Sequence, residues 1–162
     1  MRDLELFYSK RNVYLRIETI TLIYMATQAF EKKMKHLEFV QGVITRMNSN
    51  SFSMKGWMIA IVAAFLAVFA GSQKLNELYL FVAIIPTLLF WILDSYYLLL
   101  EKKFRCLFDD VKADIKTDFD MNANEYDICF GEVMFSKTEW PLYFIIIVML
   151  LVCGLLGCWG VY

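Results

Sequence analysis

The sequence holds a single histidine, His36, and its four cysteines form no CxxC pair and no Cys/His cluster. That scarcity argues against a histidine- or cysteine-built metal centre. No Ser/His/Asp set, carboxylate pair in two distinct environments or Gly-rich phosphate loop takes its place, so an enzyme is not expected. His36, without a companion at ligand spacing, is expected as a solvated surface residue. Cys106 and Cys129 lie in the polar middle, and Cys153 and Cys158 in the last apolar stretch. A disulfide framework is therefore not expected, in keeping with cytosolic loops. A cleavable leader is not expected either. The early apolar stretch from Ile17 to Phe30 is interrupted by Glu18 and three threonines, and no small-residue cleavage site follows it. Charge is the most unevenly missing quantity. It is nearly absent from Gly56 to Gly71, from Leu78 to Leu100 and from Trp140 to Tyr162, and it crowds into the segments between. A hydrocarbon slab imposes that block pattern, because a charge at its centre is costly.

What is present fits the same picture. Of 162 residues, 59% are hydrophobic and 17% aromatic, against roughly 45–50% apolar in soluble domains. The expected class is an all-α membrane protein: about three transmembrane helices with amphipathic cytoplasmic helices, assembled as an oligomeric bundle. Residues 1–33 read as an N-terminal arm, with Met25 and Met34 as alternative starts. Residues 34–51 read as an amphipathic helix, with Leu37, Val40, Ile44 and Met47 on one stripe, ended by the turn-forming Asn48-Ser49-Asn50-Ser51. Residues 52–71 make a first span, about 20 residues being enough to cross a 30 Å core, with Lys55 and Trp57 as interfacial anchors. Residues 78–100 make a second span, kinked at Pro86. Residues 101–139 return as a cytoplasmic helix and loop, the helix running to Thr117 with Phe104, Leu107, Phe108, Val111 and Ile115 on one face. That face needs a partner, either another subunit or the Glu31–Asn48 helix. Ser136-Lys137-Thr138-Glu139 fits a capping box ahead of a third span over 140–162.

Net charge is only −1, but residues 1–56 carry nine Lys or Arg against five Asp or Glu. Basic residues also follow the second span. The positive-inside rule then puts the N-terminus and the middle segment in the cytoplasm, and the Ser72–Glu77 loop and the C-terminus outside.

Four sets of residues are candidates for function. Asp94, followed by Ser95, is an ionisable group in a span. It lines a pore or polar seam, or it is a boundary residue wetted by headgroups or paired with Lys102 or Arg105. Lys102, Lys103, Arg105, Lys112 and Lys116, with Phe104 and Phe108, form a basic-aromatic set that suits phosphates and bases. The alternative is a positive-inside anchor on anionic lipid. Ala60/Ala64 and Ala63/Ala67 on the first span, and Gly154 and Gly157 on the third, supply small-residue faces for close helix packing. Asp118, Asp120, Asn122 and Asn124 have the spacing of a calcium loop. Ala123 replaces its turn glycine and Cys129 its bidentate glutamate, so a solvated acidic loop is expected and no metal.

The stretch from Met34 to Tyr97 carries Lys35-His36-Leu37-Glu38-Phe39-Val40-Gln41, Ile44-Thr45-Arg46-Met47-Asn48-Ser49-Asn50-Ser51-Phe52, Lys55-Gly56-Trp57 and Phe90-Trp91-Ile92-Leu93-Asp94. In these it resembles small bacterial membrane proteins encoded beside nucleotidyltransferases, the Hailong-type anti-phage membrane effectors. The resemblance covers about half the chain, and residues 1–33 have no counterpart in it. It implies an inner-membrane, oligomeric ion channel; the small-residue faces lead to the expectation of a closed homo-oligomer, a tetramer by preference, and no cofactor is expected. Such a channel is held closed by a nucleotide oligomer that a partner nucleotidyltransferase makes, and it depolarises the membrane when it opens. The competing class is a non-conducting membrane anchor or scaffold for a soluble partner.

Overall fold

A computed structural model describes residues 2–71 and 78–158, with side-chain surroundings for Arg11 and for residues 13–71 and 79–155. The regular elements among the described residues are all helical. They are α1 (Arg2–Gly71), α2 (Leu78–Val82), α3 (Ile84–Lys112), a 3-10 turn (Ala123–Glu125), α4 (Phe130–Met134) and α5 (Trp140–Cys158). The Ser72–Glu77 loop lies outside the described residues, as do the surroundings of Gly157.

The expected arm, cytoplasmic helix and first span are one continuous helix of 70 residues. The turn anticipated at Asn48–Ser51 does not form. Ser and Asn cost a helix up to about 0.7 kcal/mol each relative to alanine, but Ser51 and the neighbouring Ser53 make their side-chain hydrogen bonds without leaving the helix. Ser53 Oγ donates to the Ser49 carbonyl at 2.8 Å, and Ser51 Oγ donates to Asp94 across the helix pair. Packing along α3 then decides the conformation, as tertiary contacts routinely override propensity.

The second apolar segment is interrupted as Pro86 requires, though earlier than the proline itself. Proline has no N–H for the carbonyl four residues back, here that of Val82, and α2 ends at Val82. Thr87 bridges the break by donating Oγ1 to the Ala83 carbonyl at 2.9 Å. Helix α3 runs on past the apolar stretch as expected but stops at Lys112, not Thr117. Asp114 takes a left-handed φ of 58°. The Ile115 amide donates to the Asp110 carbonyl and the Asp114 amide to that of Val111, the paired bonds of a Schellman ending. Lys33 of α1 completes the end, with Nζ 3.1 Å from the Lys112 carbonyl and 2.6 Å from Asp114 Oδ1.

Two apolar clusters hold the helices together. Near the α3 C-terminus, Val40 and Ile44 of α1 pack on Leu107 and Val111 of α3, with Leu37, Phe104, Phe108, Met121 and Tyr126 around them. The partner of the aromatic stripe is thus the chain's own α1. Ile115, beyond the helix end, stays exposed. At the other end Met58 and Val62 of α1 meet Ala83, Tyr143 and Leu150. The segments Val13–Gly71 and Tyr79–Lys112 are each long and apolar enough to cross a membrane, and the chain covers only 11% and 22% of their apolar windows. α5 is a shorter apolar helix.

Candidate functional site

Between the two clusters lies a buried polar group drawn from α1, α3 and the start of α5. Lys55 stands 16 residues before Gly71, and Asp94 stands 16 residues after Leu78. In antiparallel helices that equality puts them at one level. Asp94 is fully buried, and Lys55 Nζ is 2.6 Å from its Oδ2. The same ammonium reaches Glu139 Oε1 at 3.0 Å and Ser51 Oγ at 3.1 Å. Three donors and three acceptors match the capacity of a lysine. Tyr143 donates its hydroxyl to Asp94 Oδ2 at 2.7 Å, and Ser51 donates to Oδ1. The Tyr143 ring is stacked on Trp91, centroids 5.9 Å apart, and Trp91 Nε1 donates to the Met134 carbonyl at 3.2 Å.

One ammonium therefore faces two carboxylates. Burial raises the pKa of Glu139 above the ordinary carboxylate range, the neighbouring Asp94 raises it further, and Lys55 opposes both. With Glu139 protonated the cluster is neutral; with Glu139 ionised it carries one net negative charge. The arrangement can pin three helices together and can hold or release a proton on Glu139.

Asp94 thus pairs with neither Lys102 nor Arg105. Arg105 is engaged with Glu101 at 2.7 Å. Ser95 is buried beside Asp94, but its hydroxyl bonds back to the Trp91 carbonyl at 2.7 Å within the helix. The basic-aromatic set is only partly assembled. Lys116 pairs with Glu125 at 2.8 Å, which raises its pKa, chiefly through that hydrogen bond. Phe104 and Phe108 pack toward α1. Lys102, Lys103 and Lys112 make no ion pair among the described residues.

Ala60, Ala63, Ala64 and Ala67 are all exposed in the single chain. Gly154 is in contact within it: a Cβ there would lie 3.0 Å from the Phe81 ring. The capping box at residues 136–139 does not close, because the Glu139 carboxylate turns to Lys55. The acidic loop is braced by its own side chains. Asp118, Asp120 and Asn122 each accept the backbone N–H two residues on at 3.1 Å. Among the described residues no group of three or more His, Cys, Asp or Glu converges.

Sequence reasoning missed Lys55, Glu139 and Tyr143 as members of the site, and His36 as a buried residue. Lys55 looked like an interfacial anchor and Glu139 like a capping residue. The usable signal was the equal spacing of Lys55 and Asp94 from their loop, together with the need of a buried carboxylate for a cation.

The fold and this cluster define an all-helical protein with two helices able to cross a membrane and a polar knot where they meet a third apolar helix. Comparison with protein-family models, with curated proteins and with solved structures finds no match.

Proposed function

We propose that the chain is a subunit of a homo-oligomeric ion channel in the bacterial inner membrane. In this reading it is an effector of anti-phage defence, regulated by a nucleotide oligomer, that depolarises the membrane on activation. The observation that carries the reading is the Lys55–Asp94–Glu139 cluster on apolar helices, since ionisable groups in such segments mark ion and proton paths. α5 serves as the third span, with the N-terminus and residues 101–139 in the cytoplasm and the C-terminus outside. Three helices cannot enclose a water path, so several copies are needed, four by preference. The exposed alanine face of α1 suits contact between copies. Lys102 and Lys103, eight and nine residues beyond Asp94, offer ammonium groups to the ligand's phosphates or to anionic lipid. The sequence resemblance over residues 34–97 supports the defence role and the nucleotide.

The test is the reversal potential in planar bilayers under a salt gradient, wild type against Asp94→Asn. A carboxylate facing the conduction path concentrates cations, so the variant should lose cation preference while assembling normally. Reversing Lys102, Lys103 and Arg105 together should abolish nucleotide binding and, with a closing ligand, make the protein toxic. A second reading is favoured by the completeness of the cluster, in which Ser51, Lys55 and Tyr143 all bond Asp94. A clamp of that kind suits a non-conducting anchor or scaffold. No current from either protein, or identical reversal potentials at equal assembly, would favour that reading.

A further inference from the structure

Glu139 is 4% exposed, although it stands in the short connection between α4 and α5. Its Oε1 accepts from Lys55. Its Oε2 is buried and receives no hydrogen bond among the described residues. The Lys55 ammonium lies 3.0 Å from that atom, but its three donors go to Asp94, Ser51 and Oε1. A buried oxygen left so is unusual, because buried polar atoms are almost always bonded. The carboxyl of Asp94 is within hydrogen-bonding reach of Glu139. Asp94 accepts from Ser51, Lys55 and Tyr143, which leaves room for one more bond among the roughly four a carboxylate can take. A proton on Oε2, donated to Asp94, completes both groups at once.

We propose that Glu139 and Asp94 share one proton, and that this proton is a latch: it holds the turn at residues 136–139 against α1 and α3, and its loss releases that turn. The charges explain the release. Lys55 from α1 and Asp94 from α3 are the charged groups acting on Glu139. Lys137 in the turn and Glu132 on α4 are exposed, and α5 adds the Tyr143 hydroxyl, which is turned to Asp94. When the proton passes to water, two carboxylates are left on one ammonium in a buried site, and like charges so placed repel. Asp94 is fixed by three bonds in the middle of a helix, whereas Glu139 sits in a turn that can open to water, so Glu139 is the group that moves. α5 itself stays anchored by Tyr143 and Leu150 in the apolar cluster. Burial and the bond to Asp94 raise the pKa of Glu139 and Lys55 lowers it. The turn is therefore closed at low pH and opens as pH rises above the ordinary carboxylate range. This regulation requires no nucleotide, and it holds for a channel and for a non-conducting anchor alike.

The test titrates the full-length chain in lipid nanodiscs between about pH 5 and about pH 9, a range that buried glutamates reach. Infrared difference spectra should show one carboxylic-acid C=O band that outlasts those of the exposed carboxyls as pH rises. Glu139→Gln, which keeps a donor toward Asp94, should lack the band. Asp94→Asn removes the neighbouring negative charge, so the band should be lost at lower pH than in the wild type. Spin labels on Ser53→Cys and Lys137→Cys, both exposed, with the native cysteines replaced, read the distance from the turn to α1. That distance should lengthen in the wild type over the pH range in which the band is lost, and stay short throughout in Glu139→Gln. The proposal is overturned by the absence of such a band in the wild type, by its persistence in Glu139→Gln, or by its loss at the same pH in Asp94→Asn. A label distance that stays constant while the band is lost, or that lengthens equally in Glu139→Gln, overturns it as well. Should Glu139→Gln fail to fold, the wild-type band, its shift in Asp94→Asn and the wild-type distance still decide. None of these readouts needs a current.

Discussion

Lys55 is the residue on which the polar cluster turns, since its ammonium serves Asp94, Glu139 and Ser51 at once. Removing one member of a buried ion pair leaves the other uncompensated, at a cost of about 3–5 kcal/mol, whereas replacing both with apolar groups is often neutral. Lys55→Met should therefore lower the thermal midpoint in detergent sharply, and adding Asp94→Leu should recover most of the loss. A double variant no more stable than Lys55→Met would show that the pair is not the source of the effect. Glu139 gives a pH dependence of definite sign. Its folded-state pKa is raised, chiefly by burial, so the folded state holds the proton more tightly than the unfolded chain does. That contribution to stability is complete below the ordinary carboxylate range and is lost as pH rises through the raised value. Melting temperature should fall over that window in the wild type, and Glu139→Gln should flatten the fall. An equal slope in both proteins would assign the dependence to another group.

The helices themselves differ in how far the sequence reveals them. Blocks of missing charge mark the apolar parts of α1, α3 and α5, because the hydrophobic signal is long and continuous there. The stripes of Val40 and Ile44, and of Leu107 and Val111, are legible as faces in want of partners, and the structure pairs them with each other. Pro86 announces an interruption. Boundaries are less legible. Asn48–Ser51 has the composition of a turn, yet Ser51 finds its partner, Asp94, inside the helix pair. Asp114 ends α3 in a conformation usually left to glycine or asparagine. The polar cluster was half legible: Asp94 is conspicuous in an apolar run, but its partners come from 39 residues upstream and 45 downstream, and only the folded hairpin brings them together. Gly154 is a small-residue position with an identified neighbour, the Phe81 ring. Gly154→Leu should force α5 away from α2 and cost about 1–3 kcal/mol, the usual penalty of overpacking. Gly154→Ala asks only a few tenths of an ångström of Phe81 and should cost less. Thermal melting of both variants beside the wild type checks the order, and equal midpoints for all three would remove this contact from the fold's support.

At the scale of the molecule, the chain leaves much apolar surface uncovered. Along α1, Val13, Leu15, Ile17, Ile20, Ile23 and Phe30 are all more than half exposed, and the alanine face lies open further on. Such a surface is expected to be covered by lipid or by other copies. A closed homo-oligomer, a tetramer by preference, is the expected species in mild detergent, and deleting residues 1–33 should weaken it. Light scattering with the detergent mass subtracted decides: a monomer mass for the full chain would refute the assembly.

The continuity of α1 has a mechanical consequence. At 1.5 Å per residue its 70 residues extend about 105 Å, and neither the Asn–Ser stretch nor any proline hinges it. His36 and Lys55 are 19 residues apart on it, about 28 Å along the axis and about 100° around it. A lever of that length, pivoting by about 10° at the level of Lys55, sweeps His36 through about 5 Å. Between His36 and Lys55 the helix has no break and no proline, so the buried imidazole and the ion-paired knot sit on one continuous shaft.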